Sequence, residues 1–244
     1  MLSVTLRHRD RIMAKPKLKR AQPPEIHLVD TKPERWTPPP PLKPLTRAQG
    51  LFLSSLRTNT LSIAVGSAGT GKTMLAAAFA ADRLQAGDID KIILTRPIVE
   101  SEEHLGFLPG GVNEKVLPYI LPVRSIFYER MGKSFTDYCL KTEKIEVVPL
   151  AYMRGHTFKD SVVLFDEAQN CTPKQMLLFL SRLGNGVTVA VTGDTRQSDL
   201  AGCSGLEDAV ARLEGLPGVG VTRFDRGDVV RSGFCQQVLG RYGE

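Results

Sequence analysis

The eight residues GSAGTGKT, 66–73, fit G-x-x-x-x-G-K-[ST], a spacing suited to wrapping a phosphate chain. Glycines let the backbone of Gly66, Ser67, Ala68, Gly69, Thr70 and Gly71 come close, so that its N–H groups face phosphate oxygens. Lys72 would reach the β- and γ-phosphates of ATP, and the Thr73 hydroxyl would ligate Mg²⁺. Such a loop needs a strand before it and a helix after it. LSIAV at 61–65 and KTMLAAAFAADRLQ at 72–85 have those patterns.

A second chemical group stands in SVVLFDEAQN, where Asp166 and Glu167 end an apolar run. In open α/β sheets ligands bind at the carboxyl ends of strands. The two carboxylates would divide the work: Asp166 in the Mg²⁺ shell, Glu167 orienting and deprotonating the attacking water. An Asp N-cap with a Glu in the first helical turn would read the same, but the phosphate loop upstream favours the catalytic pair. A third run, VTVAVTGDTRQSDL, carries Gly193, Asp194 and Gln197 past its end. Gln197 there could contact the γ-phosphate or water and report hydrolysis; a plain Gly-Asp turn is the other reading.

The elements that must position these groups alternate. Helical spacing of Leu45, Leu51, Phe52 and Leu56 predicts a helix ahead of the first strand. Strands follow at 61–65, 91–95, 144–148, 161–166, 187–194 and 220–224, with helices at 72–85, at 173–183 and near Phe234–Tyr242. Short continuous apolar runs alternating with helices predict an α/β fold, a P-loop NTPase with a RecA-like, mostly parallel sheet covered on both faces. No N-K-x-D segment follows, which argues against a guanine-reading site.

The 244 residues suit one such domain. No apolar run approaches the roughly 20 residues of a membrane helix. The formal charge of +6 has an uneven origin. Residues 1–44 hold ten Lys/Arg against four Asp/Glu, and the remaining 200 residues balance at 22 each. With the proline run 38–41, this predicts a basic, flexible arm over 1–44 and an NTPase domain over 45–244. The arm suits nucleic-acid phosphates or is merely solvated. Cysteines 139, 171, 203 and 235 share no flanking pattern and no C-x₂-C pair, so they read as reduced thiols of a cytoplasmic protein.

Taken together, AVGSAGTGKT, LTRP, LGFLPG, EKVLPY, MRGHTF, DEAQN, TGDTRQSDL and DVVR resemble the PhoH family over roughly residues 45–242. The resemblance implies a RecA-like core, cytoplasmic ATPase activity and a role in RNA metabolism. It carries nucleotide positions onto Gly66–Thr73, Asp166, Glu167 and Gln197. Gln49 falls where related helicases read adenine, an exposed helical glutamine being the alternative. Arg96 and Arg154 fall where nucleic acid or phosphates are touched, or are surface ion pairs. Ser67 replaces the family's usual proline, a change expected to be harmless because the position contributes backbone. His156 replaces a usual arginine.

Phosphoryl transfer calls for positive charge on the developing γ-phosphate. Arg182 and Arg231 are the candidate fingers, and a finger from a neighbour would require a homo-oligomer such as a hexameric ring. Two functions fit: an ATPase linked to RNA or single-stranded nucleic acid, of helicase type, or an ATP-dependent switch acting on a protein partner.

Overall fold

The computed structural model describes residues 36–97, 112–200, 202–230, 233–234 and 241, without the side chains of 112–120. The chain divides after Arg35 into two units. The first lies outside the described residues, and the second, from Trp36, carries all the elements below.

Among the described residues, six parallel strands build one sheet: β1 (Leu61–Gly66), β2 (Lys91–Thr95), β3 (Ile145–Val147), β4 (Ser161–Phe165), β5 (Thr188–Gly193) and β6 (Val219–Phe224). Their order is β3-β2-β4-β5-β1-β6. The register pairs Val65 with Gly193 and Thr95 with Phe165, so the chemistry-bearing strand ends emerge at one edge. Side chains alternate across the sheet as the two-residue period requires. Ile92, Leu94, Val162, Leu164 and Ala190 enter one core layer. Ile93, Val163, Phe165, Val189 and Val191 enter the other.

Helices α1 (Arg47–Thr58), α2 (Lys72–Ala86), α3 (Val112–Met131) and α4 (Lys133–Lys141) cover the first layer. The second is covered by α5 (Pro173–Leu180) and α6 (Gly205–Leu213). The expected RecA-like α/β class is the observed one. Helices α3 and α4 were not anticipated, because Pro118 and Pro122 interrupt the pattern of α3. Helix α6 had a legible signal: Ser204 and Glu207 form a capping box. The helix expected near Phe234–Tyr242 falls mostly outside the described residues.

Of the predicted arm, residues 36–44 lie against the domain. Trp36 Nε1 donates to the Glu129 carbonyl at 3.1 Å, and its ring lies against Gly132. Arg130, 9% exposed, grips Asp82 with two bonds of 2.7 and 2.6 Å and donates to the Pro40 carbonyl at 2.9 Å. Among the described residues, no helix is long and apolar enough to cross a membrane.

Candidate functional site

The loop after β1 leaves the sheet at Gly66, whose φ of 145° suits glycine. A Cβ there would collide with the Phe224 carbonyl on the neighbouring strand. Thr70 Oγ1 donates to the Ser67 carbonyl at 2.9 Å, closing the turn. Gly71, at φ 84°, caps α2 with no side-chain hydrogen bond, so the helix N-terminus is left for an anion.

Lys72 begins that helix and folds back. Its ammonium donates to the carbonyls of Gly66 and Ser67 at 2.6 and 2.7 Å and to Thr70 Oγ1 at 3.3 Å. Burial pushes the Lys72 pKa below its ordinary value, against the opposing charges of Asp194, Asp166 and Glu167. A cation held on main-chain carbonyls is poised to exchange them for phosphate oxygens.

Behind the loop, Gln49 of α1 is 1% exposed. Its Nε2 donates to the Thr70 carbonyl at 3.1 Å, and its Oε1 accepts the Leu45 N–H at 2.7 Å. The exposed-glutamine reading is therefore replaced: this amide ties the start of α1 to the phosphate loop.

Thr73 and Asp166 meet at 2.7 Å. The same carboxylate oxygen accepts Thr192 Oγ1 from β5 at 2.5 Å. A small cavity opens here, lined by Thr73, Thr95, Arg96, Asp166 and Thr192 among others. The Thr95 hydroxyl is buried there without a hydrogen-bond partner. This donor set of hydroxyls and a carboxylate fits Mg²⁺, which takes one or two protein oxygens and keeps several waters. Thr73 and Asp166 would hold it.

Glu167 adopts a left-handed backbone, φ 52°, unusual for a side chain of this size. Its Oε2 accepts Gln169 Nε2 at 2.6 Å. Gln169, 1% exposed, also accepts the Asp194 N–H at 3.1 Å through Oε1. One buried amide thus links the carboxylate pair to the turn after β5. Sequence reasoning passed over Gln169, although its place inside DEAQN was a signal.

The turn after β5 holds Arg196 and Gln197 side by side. Gln197 is exposed, and its backbone N–H donates to the Asp194 carbonyl at 2.9 Å. It is Arg196, not singled out by its motif, that reaches the phosphate loop, donating to the Ser67 hydroxyl. The Ser67 side chain is therefore engaged, where only its backbone was expected to contribute.

Arg182 is not brought to this edge. It lies in the turn before β5, where its carbonyl accepts the Phe158 N–H at 2.9 Å, beside the amino ends of β4 and β5. Arg154 is exposed in the segment leading into β4. Arg231 and LGFLPG lie outside the described residues; the preceding Val230 donates its N–H to the Gly69 carbonyl at 3.0 Å.

Comparison with known proteins places this chain in a family. The model for "PhoH-like protein" matches residues 41–243. "Protein PhoH" of Escherichia coli K12 is 48% identical over 206 residues, 83% of this chain and 58% of that protein. The "PhoH-like protein" of Bacillus subtilis is 44% identical over 199 residues, 81% of this chain and 62% of that one. The chain thus spans about three fifths of the length of these relatives. Among solved structures, Pif1 helicase from Candida albicans aligns with TM-score 0.42 and 15% identity, over 82% of this chain and 43% of that one. With its phosphate loop and carboxylate pair at one edge of a parallel sheet, the chain has the fold of P-loop proteins and belongs to the PhoH family.

Proposed function

We propose that this chain hydrolyses ATP with Mg²⁺ in the cytoplasm and that single-stranded RNA stimulates the reaction. The observation that carries the reading is the 2.7 Å bond between Thr73 and Asp166, which joins the phosphate loop to the carboxylate strand. Mg²⁺, when bound, supplies positive charge to the β- and γ-phosphate oxygens. The loop N–H groups and Lys72 hold the phosphates. Glu167, steadied by Gln169, orients a water against the γ-phosphorus. The water oxygen bonds to phosphorus as the bond to the β–γ bridging oxygen breaks. ADP keeps the electron pair, and Glu167 takes the proton.

The RNA link rests on the family resemblance and on Arg96, which follows β2 at the same edge as the carboxylates. A finger role for Arg182 requires a neighbouring subunit, in a homo-oligomer that closes as a ring. Sedimentation with ATP and RNA tests this: a monomer alone would remove both the ring and that finger.

Steady-state ATP hydrolysis, with and without single-stranded RNA, tests the main reading, with Lys72→Ala and Glu167→Gln as controls. Stimulation by RNA that both substitutions abolish is the expected result. Hydrolysis that needs both residues and ignores RNA would instead favour an ATP-dependent switch on a protein partner. Absence of hydrolysis in the unsubstituted protein would overturn the catalytic assignment.

A further inference from the structure

Lys72 and Arg196 converge on one residue of the phosphate loop. The Ser67 carbonyl accepts from Lys72 at 2.7 Å, and the Ser67 hydroxyl accepts from the Arg196 guanidinium. Arg196 sits in the short helical turn Thr195–Gln197 directly after β5. The Asp194 carboxylate anchors that turn, accepting the Arg196 N–H at 3.1 Å. The same carboxylate lies 3.6 Å from the guanidinium Nε, and the arginine side chain is 56% exposed. A pairing that long and that solvated holds the guanidinium weakly. Arginine offers five N–H donors in a planar fork suited to phosphate, and Ser67 and Asp194 engage only part of that fork.

We propose that Arg196 is a γ-phosphate ligand supplied by the chain itself, exchanging its bond to Ser67 for the terminal phosphate of ATP. The inference rests on the ATPase reading above and adds a catalytic residue to it. Three features support it. The guanidinium already touches the loop that would wrap the phosphates. Its tether is the strand end beside Asp166 and Glu167, so it stays on the γ-phosphate side of the site. Its release from Ser67 breaks one hydrogen bond to a neutral hydroxyl, which a charge-assisted bond to phosphate more than replaces. Lys72 and Arg196 both donate to Ser67, so two cations flank one loop residue that a γ-phosphate could bridge. In this arrangement the charge that a finger from another subunit would deliver is present in the single chain.

The test compares the affinities of the full chain and its Arg196→Ala and Arg196→Lys variants for Mg·AMP-PNP and Mg·ADP by titration calorimetry, alongside kcat for ATP. Thermal melts establish that the variants fold. In Arg196→Ala, AMP-PNP should bind roughly tenfold more weakly while ADP affinity stays within about twofold, and kcat should fall by roughly 10³-fold. Arg196→Lys, which keeps the charge and loses the fork, should fall between.

Equal weakening of both nucleotides would overturn the proposal, because Arg196 would then act only through the shape of the loop. No change for either would also overturn it, leaving a surface ion pair with Asp194. Should the unsubstituted chain bind both nucleotides without hydrolysing ATP, the ATPase reading fails by itself, and the affinity ratio still decides the role of Arg196. Binding of neither nucleotide removes both.

Discussion

Thr73 and Asp166, 93 positions apart in the chain, share a 2.7 Å hydrogen bond, and Thr192 donates to the same carboxylate oxygen at 2.5 Å. The orientation of Asp166 is therefore set by two hydroxyls, from α2 and from β5. Thr192→Val keeps the side-chain volume and removes one donor. Because partners of a metal-ligating group typically govern 10–100-fold in affinity or activity, the Mg²⁺ concentration for half-maximal ATP hydrolysis should rise roughly tenfold. A metal titration of the steady-state rate checks this, and an unchanged midpoint would separate Thr192 from the metal.

Gln169 spans Glu167 and Asp194 with one buried amide. Gln169→Leu leaves the buried Asp194 N–H without its acceptor, which should cost about 1–3 kcal/mol in urea unfolding. Loss of the bond that steadies Glu167 should lower kcat more than it changes KM for ATP. A raised KM with kcat intact would instead assign Gln169 to substrate binding.

Arg130 joins the segment 36–44 to α2. Its substitution by alanine removes two bonds to Asp82 and one to the Pro40 carbonyl. Asp82 is 37% exposed, so solvent recovers part of the loss, and about 1–3 kcal/mol should disappear from the unfolding free energy. Limited proteolysis should then cut near Trp36–Pro44 earlier than in the unsubstituted protein.

Cys171 is fully buried against the start of α6, and burial pushes its thiol from the ordinary 9.0 up to about 12. The folded value exceeds the unfolded one. Its contribution to stability is therefore complete below pH 9.0 and is lost as the pH rises toward about 12. Urea midpoints measured near pH 8 and near pH 10 should fall more steeply for the unsubstituted protein than for Cys171→Ala. Alkylation mapped by mass spectrometry should reach exposed Cys203 before Cys171.

The strand ladder and the loop were legible because their physics is local. Six short apolar runs became six strands, and GSAGTGKT carries its own turn chemistry. Asp166 and Glu167 were legible for the same reason, as polar residues terminating an apolar strand. What escaped was set by distant contacts. No spacing in the sequence announces that Gln49 meets the Thr70 carbonyl, that Gln169 meets the turn after β5, or that Arg196 crosses to Ser67. Gln197 drew attention from its motif; the contact to Ser67 is made by its neighbour Arg196, because the helical turn at Thr195–Gln197 directs successive side chains differently. Arg182 suggested a finger by following a helix, but in a parallel sheet a residue just before a strand belongs to the edge opposite the ligands.

Strand β5 stands between β1 and β4. Thr192 holds the carboxylate strand from it, and Arg196, just past its end, holds the phosphate loop. A slide of β5 along its own axis would stretch both attachments at once. Metal-side and phosphate-side geometry would then change in step, like two hands geared to one shaft.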